Sequence, residues 1–233
     1  MQLRKQACVK FSIIYLAVLA VIPMLIRNEL PYDMIENLHW GKELQLGYFK
    51  HPPLFAWLSF FFYKICFSCP ESLYILTQLN LLIGLYFIYK LSKLVLENEN
   101  KALASTLIFL ASICAVFGNE KFNANTILMS LYPMMFFFFI RMIKFQKKID
   151  AIALGIVSAL AVIGKYIALG YLGCMGIFML INKDCRALFK TSLPYISVIV
   201  FMIGISWHIK WMFDSNFITL QYALEKSTAA TKN

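Results

Sequence analysis

The chain has 233 residues, of which 61% are hydrophobic, 16% are aromatic and only 15% are charged. Soluble domains contain about 45–50% apolar and about 25% charged residues, so this composition excludes an ordinary soluble fold. The abundance of aromatic residues excludes a disordered chain. The net charge of +10 comes from short basic clusters between apolar runs, which is typical of membrane topology and not of a nucleic-acid-binding surface.

The lengths of the apolar runs predict which of them cross a membrane. A straight spanning helix needs about 20 residues, whereas runs of about 10–14 residues are typical of interfacial segments. Run 54–67 is short by this measure. Gly164 and Lys165 interrupt another pair of apolar runs, at 151–164 and 166–181. The runs lie at 11–26, 54–67, 71–92, 102–118, 126–143, 151–164, 166–181 and 192–212.

The distribution of positive charge indicates whether run 54–67 crosses. With the N-terminus inside and this run outside, 13 of the 22 basic residues lie on the inner side, whereas only nine do if the run crosses. We therefore predict an all-α integral membrane protein with about seven transmembrane helices, its N-terminus inside and its C-terminus outside. The inner clusters are Arg4, Lys5 and Lys10; Lys90, Lys93 and Lys101; Arg141, Lys144, Lys147 and Lys148; and Lys183, Arg186 and Lys190.

The first outer segment, residues 27–70, is predicted to hold two amphipathic surface helices. The first covers residues 33–40 and would rest on the membrane with its acids turned toward water or a cavity. Pro52 and Pro53 fix a stiff turn before the second helix, which is run 54–67. At about 100° per residue, one face of the first helix holds Asp33, Glu36, Asn37 and Trp40, and the other holds Met34, Ile35 and Leu38.

Two pairs of ionisable residues in this segment are candidates for chemistry. Asp33 and Glu36 lie one helical turn apart, and paired acids suit general-base catalysis or the positioning of a sugar hydroxyl. The alternative for this pair is a solvated polar face. Lys50 and His51 form a cationic pair at the stiff turn, where they could hold a phosphate.

Three further features lie on the predicted outer side. Lys165 stands between two apolar half-spans, where an ionisable residue is costly and is by default functional; alternatively its side chain only reaches the membrane interface. Asn123 and Asn125 place amides at the mouth of the fourth span. An interfacial aromatic belt without chemistry is predicted for Trp207, His208 and Trp211.

The string GYFKHPPL at residues 47–54, preceded by Tyr32, Asp33, Trp40 and Gly41, closely resembles the first periplasmic loop of a known family. These are the polyprenyl-phosphate-sugar-dependent glycosyltransferases of the GT-C superfamily. The resemblance is to their family 39-like group, which includes protein O-mannosyltransferases and the lipid A aminoarabinose transferase. Lys165 and Tyr166 resemble the family's Lys-Tyr or Thr-Lys motif. KFNANT at residues 121–126 resembles the second loop of one bacterial branch, and the resemblance covers almost the whole chain.

The resemblance implies transfer of a hexose or pentose from a polyprenyl-phosphate donor to a lipid, glycan or protein hydroxyl. The reaction would take place at the periplasmic face of a bacterial inner membrane, as in modification of lipopolysaccharide or another cell-envelope glycan. Besides the lipid-linked sugar, the expected partner is the bilayer. No cofactor, metal or nucleic acid is expected.

The resemblance also assigns roles to individual residues. Asp33 corresponds to the acid that acts as base or orients the acceptor hydroxyl, and Glu36 replaces the second acid that many members carry at the place of Met34. Asn125 stands where many members carry an acid, and an amide accepts a hydrogen bond but cannot act as a base. The residues expected to bind substrate are Trp40, Lys50, His51, Asn123, Asn125, Lys165 and Tyr166.

Members of the family are typically about twice as long as this chain. We therefore expect residues 1–233 to be the N-terminal transmembrane module, with 27–70 as the first periplasmic loop and 213–233 as the start of a truncated one. One alternative is a catalytically inactive fragment that binds lipid-linked sugar or pairs with a separately encoded C-terminal half. Another is a small transporter, which predicts charges in several spans or inverted repeats; only Lys165 fits, and no repeat is visible.

Overall fold

A computed structural model describes residues 2–112 and 120–230, and all regular secondary structure in these residues is helical. This confirms the predicted all-α class. The elements are α1 (Gln2–Ile26), α2 (Tyr32–Glu43), α3 (Leu54–Ile65), α4 (Ser72–Leu96), α5 (Glu99–Leu110), α6 (Leu128–Phe145), α7 (Lys148–Gly164), α8 (Ala168–Ile181), α9 (Lys183–Arg186), a 3₁₀ turn (Ala187–Lys190), α10 (Leu193–Asp214) and α11 (Ile218–Ala230).

Among the described residues, four helices are long and apolar enough to cross a membrane. Large apolar side chains such as Leu25 (79% exposed) and Ile203 (67% exposed) project from them, as expected of residues that face lipid. The chain is therefore an all-α membrane protein. The four segments match four of the predicted runs and are Lys5–Ile26, Ser72–Leu96, Leu128–Phe145 and Leu193–Asp214.

The shorter helices bear on the predicted number of spans. Helix α3 has 12 residues, so at about 1.5 Å per residue it is shorter than the roughly 30 Å hydrocarbon core, in agreement with the prediction for run 54–67. Helices α7 and α8 have 17 and 14 residues and are separated by the expected break. Helix α5 covers the start of run 102–118, whose residues 113–118 lie outside the described part. The count of seven spans and their orientation stay predictions.

The chain divides into two compact units. The first unit contains Met1–Lys42 and Phe55–Ile140, and the second contains Glu43–Leu54 and Arg141–Asn233. The segment between α2 and α3 therefore belongs to a different unit from the two helices that it joins.

In the first unit, α4 and the start of α6 approach each other closely. The Asn80 side chain donates to the Thr126 carbonyl at 2.7 Å, and a Cβ atom at Gly84 would lie 2.5 Å from the Met129 carbonyl oxygen. Only glycine fits there. Met129 lies four residues before Pro133, which has no N–H to donate to that carbonyl. These contacts fix the start of α6, and with it the loop that precedes it.

In the second unit, small residues let α7 and α10 pack closely. A Cβ atom at Gly155 would lie 2.6 Å from the Ser197 carbonyl oxygen, and one at Gly204 would lie 2.6 Å from the Cβ of Ala159. The Ser197 hydroxyl donates to the Ala151 carbonyl at 2.8 Å. In a membrane no hydrophobic force drives helices together. They associate instead by close packing through small residues and by interhelical hydrogen bonds.

An ion pair between a partly exposed arginine and a buried aspartate joins the end of α6 to the start of α7. Nε of Arg141 donates to Oδ1 of Asp150 at 2.6 Å, and Nη2 of Arg141 donates to Oδ2 at 3.4 Å. The Asp150 side chain is only 2% exposed. The turn between the two helices is therefore held by a two-point charged contact inside the second unit.

Candidate active site

Helix α2 places Asp33 in its first turn. The Pro31 carbonyl accepts from the Met34 N–H at 2.9 Å, which starts the helix, and an acid in the first turn is favoured by the partial positive charge of a helix N-terminus. The predicted helix over residues 33–40 is therefore confirmed, and it extends to Glu43.

Asp33 and Glu36 on the predicted polar face of α2 are partly exposed, and Ile35 on the apolar face is 50% exposed, as a side chain resting on a membrane would be. Asn37 departs from the prediction, because it lies on the polar face and is only 1% exposed. The reason is a packing contact: a Cβ atom on Gly41 would overlap the Ala56 carbonyl oxygen and the Phe60 Cβ of α3. This contact with protein sets the rotation of α2.

Asp33 contacts the loop before α6. Its Oδ2 atom accepts from Nδ2 of Asn123 at 2.7 Å and pairs with Nζ of Lys121 at 2.9 Å. The Asp33 side chain is 33% exposed, so the carboxylate remains accessible. The two segments predicted to be outer loops thus meet at Asp33, although 90 positions separate it from Asn123.

The turn that begins at Asn123 fixes its amide. Oδ1 of Asn123 accepts from the N–H groups of Asn125 at 2.9 Å and Thr126 at 3.0 Å, and the Asn123 N–H donates to Oγ1 of Thr126 at 2.8 Å. This is the reciprocal bonding of a capping box. Since Oδ1 is engaged with backbone donors, the amide nitrogen is the atom that faces Asp33.

A second contact ties α2 to this loop. Nδ2 of Asn37 donates to the Phe122 carbonyl at 2.6 Å, and both residues are buried. Lys121 and Asn37 have no role in the prediction from sequence; the available signal is that Lys121 lies in the same KFNANT string as Asn123.

The remaining predicted site residues of the first unit lie close in sequence to Asp33 or Asn123 and differ in how exposed their side chains are. Glu36 is half-buried, one turn after Asp33, and Asn125 is exposed. Trp40 is 7% exposed and packs edge-on against the Phe55 ring, with 6.1 Å between the ring centroids. Their roles in substrate binding or catalysis stay predictions.

In the second unit, the GYFKHPPL string forms the predicted turn. The Tyr48 N–H donates to the His51 carbonyl at 3.0 Å. Pro52 and Pro53 are buried, and Lys50 lies with its Nζ atom 5.4 Å from the centroid of the Phe49 ring. Lys50 and His51 therefore lie in this turn, and their role in holding a phosphate stays a prediction.

His208 is buried, which corrects its assignment to an interfacial belt. Its Nδ1 atom lies 2.8 Å from the Leu46 carbonyl oxygen, and its Nε2 atom lies 2.7 Å from the Tyr166 hydroxyl. A carbonyl only accepts, so Nδ1 carries a proton; in the neutral imidazole Nε2 then accepts from Tyr166. His208 thus links the predicted residue Tyr166 to the backbone just before GYFKHPPL.

Two more residues missed by the sequence analysis hold this backbone. A Cβ atom on Gly47 would overlap the ring of Trp211, which stacks on His208 at 5.4 Å with 12° between the planes. The Thr219 hydroxyl donates to the Tyr48 carbonyl at 2.9 Å. The turn is therefore clamped from the end of α10 and the start of α11.

Lys165 and Tyr166 occupy the break between α7 and α8. Partial burial lowers the pKa of Lys165, and repulsion from the Lys226 ammonium lowers it further. Burial raises the pKa of Tyr166 to about 12. Tyr166 therefore keeps its proton throughout the physiological range and remains a donor to His208.

The predicted site residues fall into two groups by unit. The first unit contains Asp33, Glu36, Trp40, Asn123 and Asn125, and the second contains Lys50, His51, Lys165 and Tyr166. Within residues 2–112 and 120–230, no three His, Cys, Asp or Glu side chains are grouped so that they could hold a metal ion.

A family model described as dolichyl-phosphate-mannose-protein mannosyltransferase matches residues 50–211. The chain belongs to this family. It is thus a multi-pass membrane protein of the GT-C glycosyltransferase type, which confirms the resemblance found in the sequence. The family match includes Lys121, Asn123, Lys165 and His208, whereas Asp33 precedes it. Comparison with the curated proteins and with the solved structures found no match.

Proposed function

We propose that this chain transfers a sugar from a polyprenyl-phosphate donor to an acceptor hydroxyl at the periplasmic face of a bacterial inner membrane. The family's description names dolichyl-phosphate-mannose, in which mannose is linked to a polyprenyl phosphate, so it is a donor of this class. The observation that carries the proposal is the contact of Asp33 with Lys121 and Asn123 in a member of such a family. A lipid, glycan or protein hydroxyl is the acceptor, as in modification of lipopolysaccharide or another cell-envelope glycan.

The proposed reaction uses Asp33 as the base or orienting group. The acceptor oxygen attacks the anomeric carbon, and its proton passes to the Asp33 carboxylate. The bond from that carbon to the phosphate oxygen breaks, and the polyprenyl phosphate leaves with the electron pair. General-base assistance contributes roughly 10²–10⁴-fold to a rate. Lys121 and Asn123 keep the carboxylate in one orientation, with Glu36 one turn away as its accessory acid.

Lys50, His51 and Lys165 are the residues that we assign to offsetting the charge of the departing phosphate. Lys50 and His51 are presented by the clamped turn, and Lys165 is half-buried at a helix break. A preorganised cation in a partly dry site stabilises developing negative charge better than water does. Tyr166 is engaged with His208, so we assign it to holding the turn rather than to direct contact with the sugar.

A binding role without catalysis is the second candidate. Oδ2 of Asp33 accepts from Asn123 and pairs with Lys121, which are also the contacts of a carboxylate that only joins two segments. In that case the chain would hold lipid-linked sugar and leave the transfer to another protein.

The donor class can be tested with the purified chain in proteoliposomes. Polyprenyl-phosphate mannose and a nucleotide-linked mannose are supplied separately, each radiolabelled, with a periplasmic extract as the source of acceptors. We expect label to move into a lipid, glycan or protein fraction from the polyprenyl donor only. Transfer from the nucleotide sugar alone would contradict the proposal, and binding of the polyprenyl donor without transfer would establish the binding role.

A further inference from the structure

Helix α11 brings a second lysine and an aromatic ring to the GYFKHPPL turn. The rings of Phe49 and Tyr222 meet edge-on, with 5.5 Å between their centroids. Nζ of Lys50 lies 5.4 Å from the Phe49 centroid, and Nζ of Lys226 lies 6.0 Å from the Tyr222 centroid. We call these four residues of the second unit the lysine–ring surface.

The lysine–ring surface combines the two properties of an amphiphilic anion site. Phe49 is 44% exposed and Tyr222 is partly exposed, so the rings can cover an apolar chain. Lys226 also repels Lys165, whose pKa its charge helps to lower. Cations that lie close together repel one another, whereas an anion bound between them attracts each of them.

We propose that Lys226 and Tyr222 complete, together with Lys50 and Phe49, a site for a phosphate ester that carries an apolar chain. The inference rests on the proposed function, in which such an ester is the leaving group. It adds residues of α11, which lies beyond the segment 50–211 matched by the family. In this site the lysines neutralise the phosphate of the ligand. The two rings pack against the part of its apolar chain that is nearest the phosphate.

The test measures binding of farnesyl phosphate, a short soluble probe, to the full chain in phosphatidylcholine nanodiscs. We expect Lys226→Gln to raise the Kd about three- to fivefold, because an exposed charge contributes modestly. Lys226→Arg keeps the charge and should stay within about twofold. The matched control is Lys210→Gln, which removes an exposed cation that is paired with Asp214 in the same unit, and it should leave the Kd unchanged.

Further ligands and variants separate the parts of the site. Farnesol lacks the phosphate and inorganic phosphate lacks the chain, so each should bind at least about tenfold more weakly than farnesyl phosphate. Tyr222→Leu should weaken binding of farnesyl phosphate, whereas Tyr222→Phe should preserve it. The reason is that the ring of Tyr222, and not its hydroxyl, contacts the farnesyl chain in the proposed site. If phosphatidylglycerol in the nanodisc displaces the probe, the site is one for bulk anionic lipid, and its assignment to the donor is wrong.

The inference and the proposed function fail in different ways. An unchanged Kd in Lys226→Gln, with the same thermal stability as the parent chain, overturns the assignment of Lys226 even if sugar transfer is observed. Normal binding of farnesyl phosphate in a chain that transfers no sugar leaves the lysine–ring surface intact and counts against the proposed function alone.

Discussion

The side-chain amide of Asn123 donates to Oδ2 of Asp33 at 2.7 Å, and this hydrogen bond joins two segments that are 90 positions apart. The same amide caps the turn before α6 through its oxygen. One residue therefore fixes both the path of a loop and the position of the proposed catalytic carboxylate. In a chain of this glycosyltransferase family, Asn123 is thus one of three residues, with Asn37 and Lys121, that link α2 to the loop before α6.

Replacing Asn123 tests this link. Asn123→Ala removes the cap and the donor to Asp33, and loss of an N-cap costs about 1–2 kcal/mol of stability. Asn123→Ser keeps a capping oxygen but cannot reach Asp33 in the same way, so it should recover most of the stability and little of the transfer activity. Thermal unfolding in detergent measures the first effect; a fall in activity no greater than the fall in folded protein would contradict the link. Asn125→Ala, at an exposed neighbour, is the stability control.

Asp150 should matter far more for stability than a surface aspartate. Asp150→Asn leaves Arg141 without its charged partner in a buried site, and we expect a loss of about 2 kcal/mol. Asp214→Asn breaks an exposed pair with Lys210, and its cost should stay below about 1 kcal/mol. Unfolding temperatures of the two variants give the comparison. Equal shifts would mean that burial of the Arg141–Asp150 pair has no energetic consequence.

The raised pKa of Tyr166 predicts that the folded chain loses stability in alkali. Because the folded-state pKa is raised to about 12 from the ordinary tyrosine value of 10.0, the folded chain retains a proton that the unfolded chain loses, and stability falls as pH rises from about 10 toward 12. The fall in unfolding temperature between pH 9 and pH 11 should be smaller in Tyr166→Phe than in the parent chain. A fall in Tyr166→Phe as large as in the parent chain would contradict the assignment.

The orientation in the membrane can be tested with single cysteines at positions 45, 68 and 97 in a chain whose native cysteines are replaced. A membrane-impermeant maleimide should label positions 45 and 68 from the periplasmic side and position 97 only after permeabilisation. These expectations follow from the distribution of basic residues. Labelling of position 68 from the cytoplasm alone would show that run 54–67 is a true span.

Features governed by local sequence could be predicted. The break at Lys165, the turn at Pro52 and Pro53 and the short helix over 54–67 follow from residues within a few positions of each, since Gly, Pro and apolar run length act locally. The helix that carries Asp33 was predicted for the same reason. The long helices were found because lipid demands continuous apolar segments.

Features governed by tertiary contacts could not be predicted in this way. The rotation of α2 depends on where Gly41 meets α3, and the burial of His208 depends on Leu46, which lies 162 positions away. Hydrophobic periodicity does not distinguish a side chain that faces lipid from one that faces protein, so His208 was grouped with interfacial aromatics. Helix α11 carries no motif, and only the fold shows that Tyr222 contacts Phe49.

The central claim is that Asp33 carries out or directs the attack of the acceptor hydroxyl, and it is tested most directly by measuring donor binding and sugar transfer on the same preparation of Asp33→Asn. The amide keeps the size of the side chain but cannot take a proton. We predict that transfer falls by at least about 100-fold, the lower range for loss of a general base, while the Kd for polyprenyl-phosphate mannose and the unfolding temperature change little. Transfer at the parental rate by a folded Asp33→Asn chain would contradict the account and leave Asp33 as a residue that only joins α2 to the loop before α6.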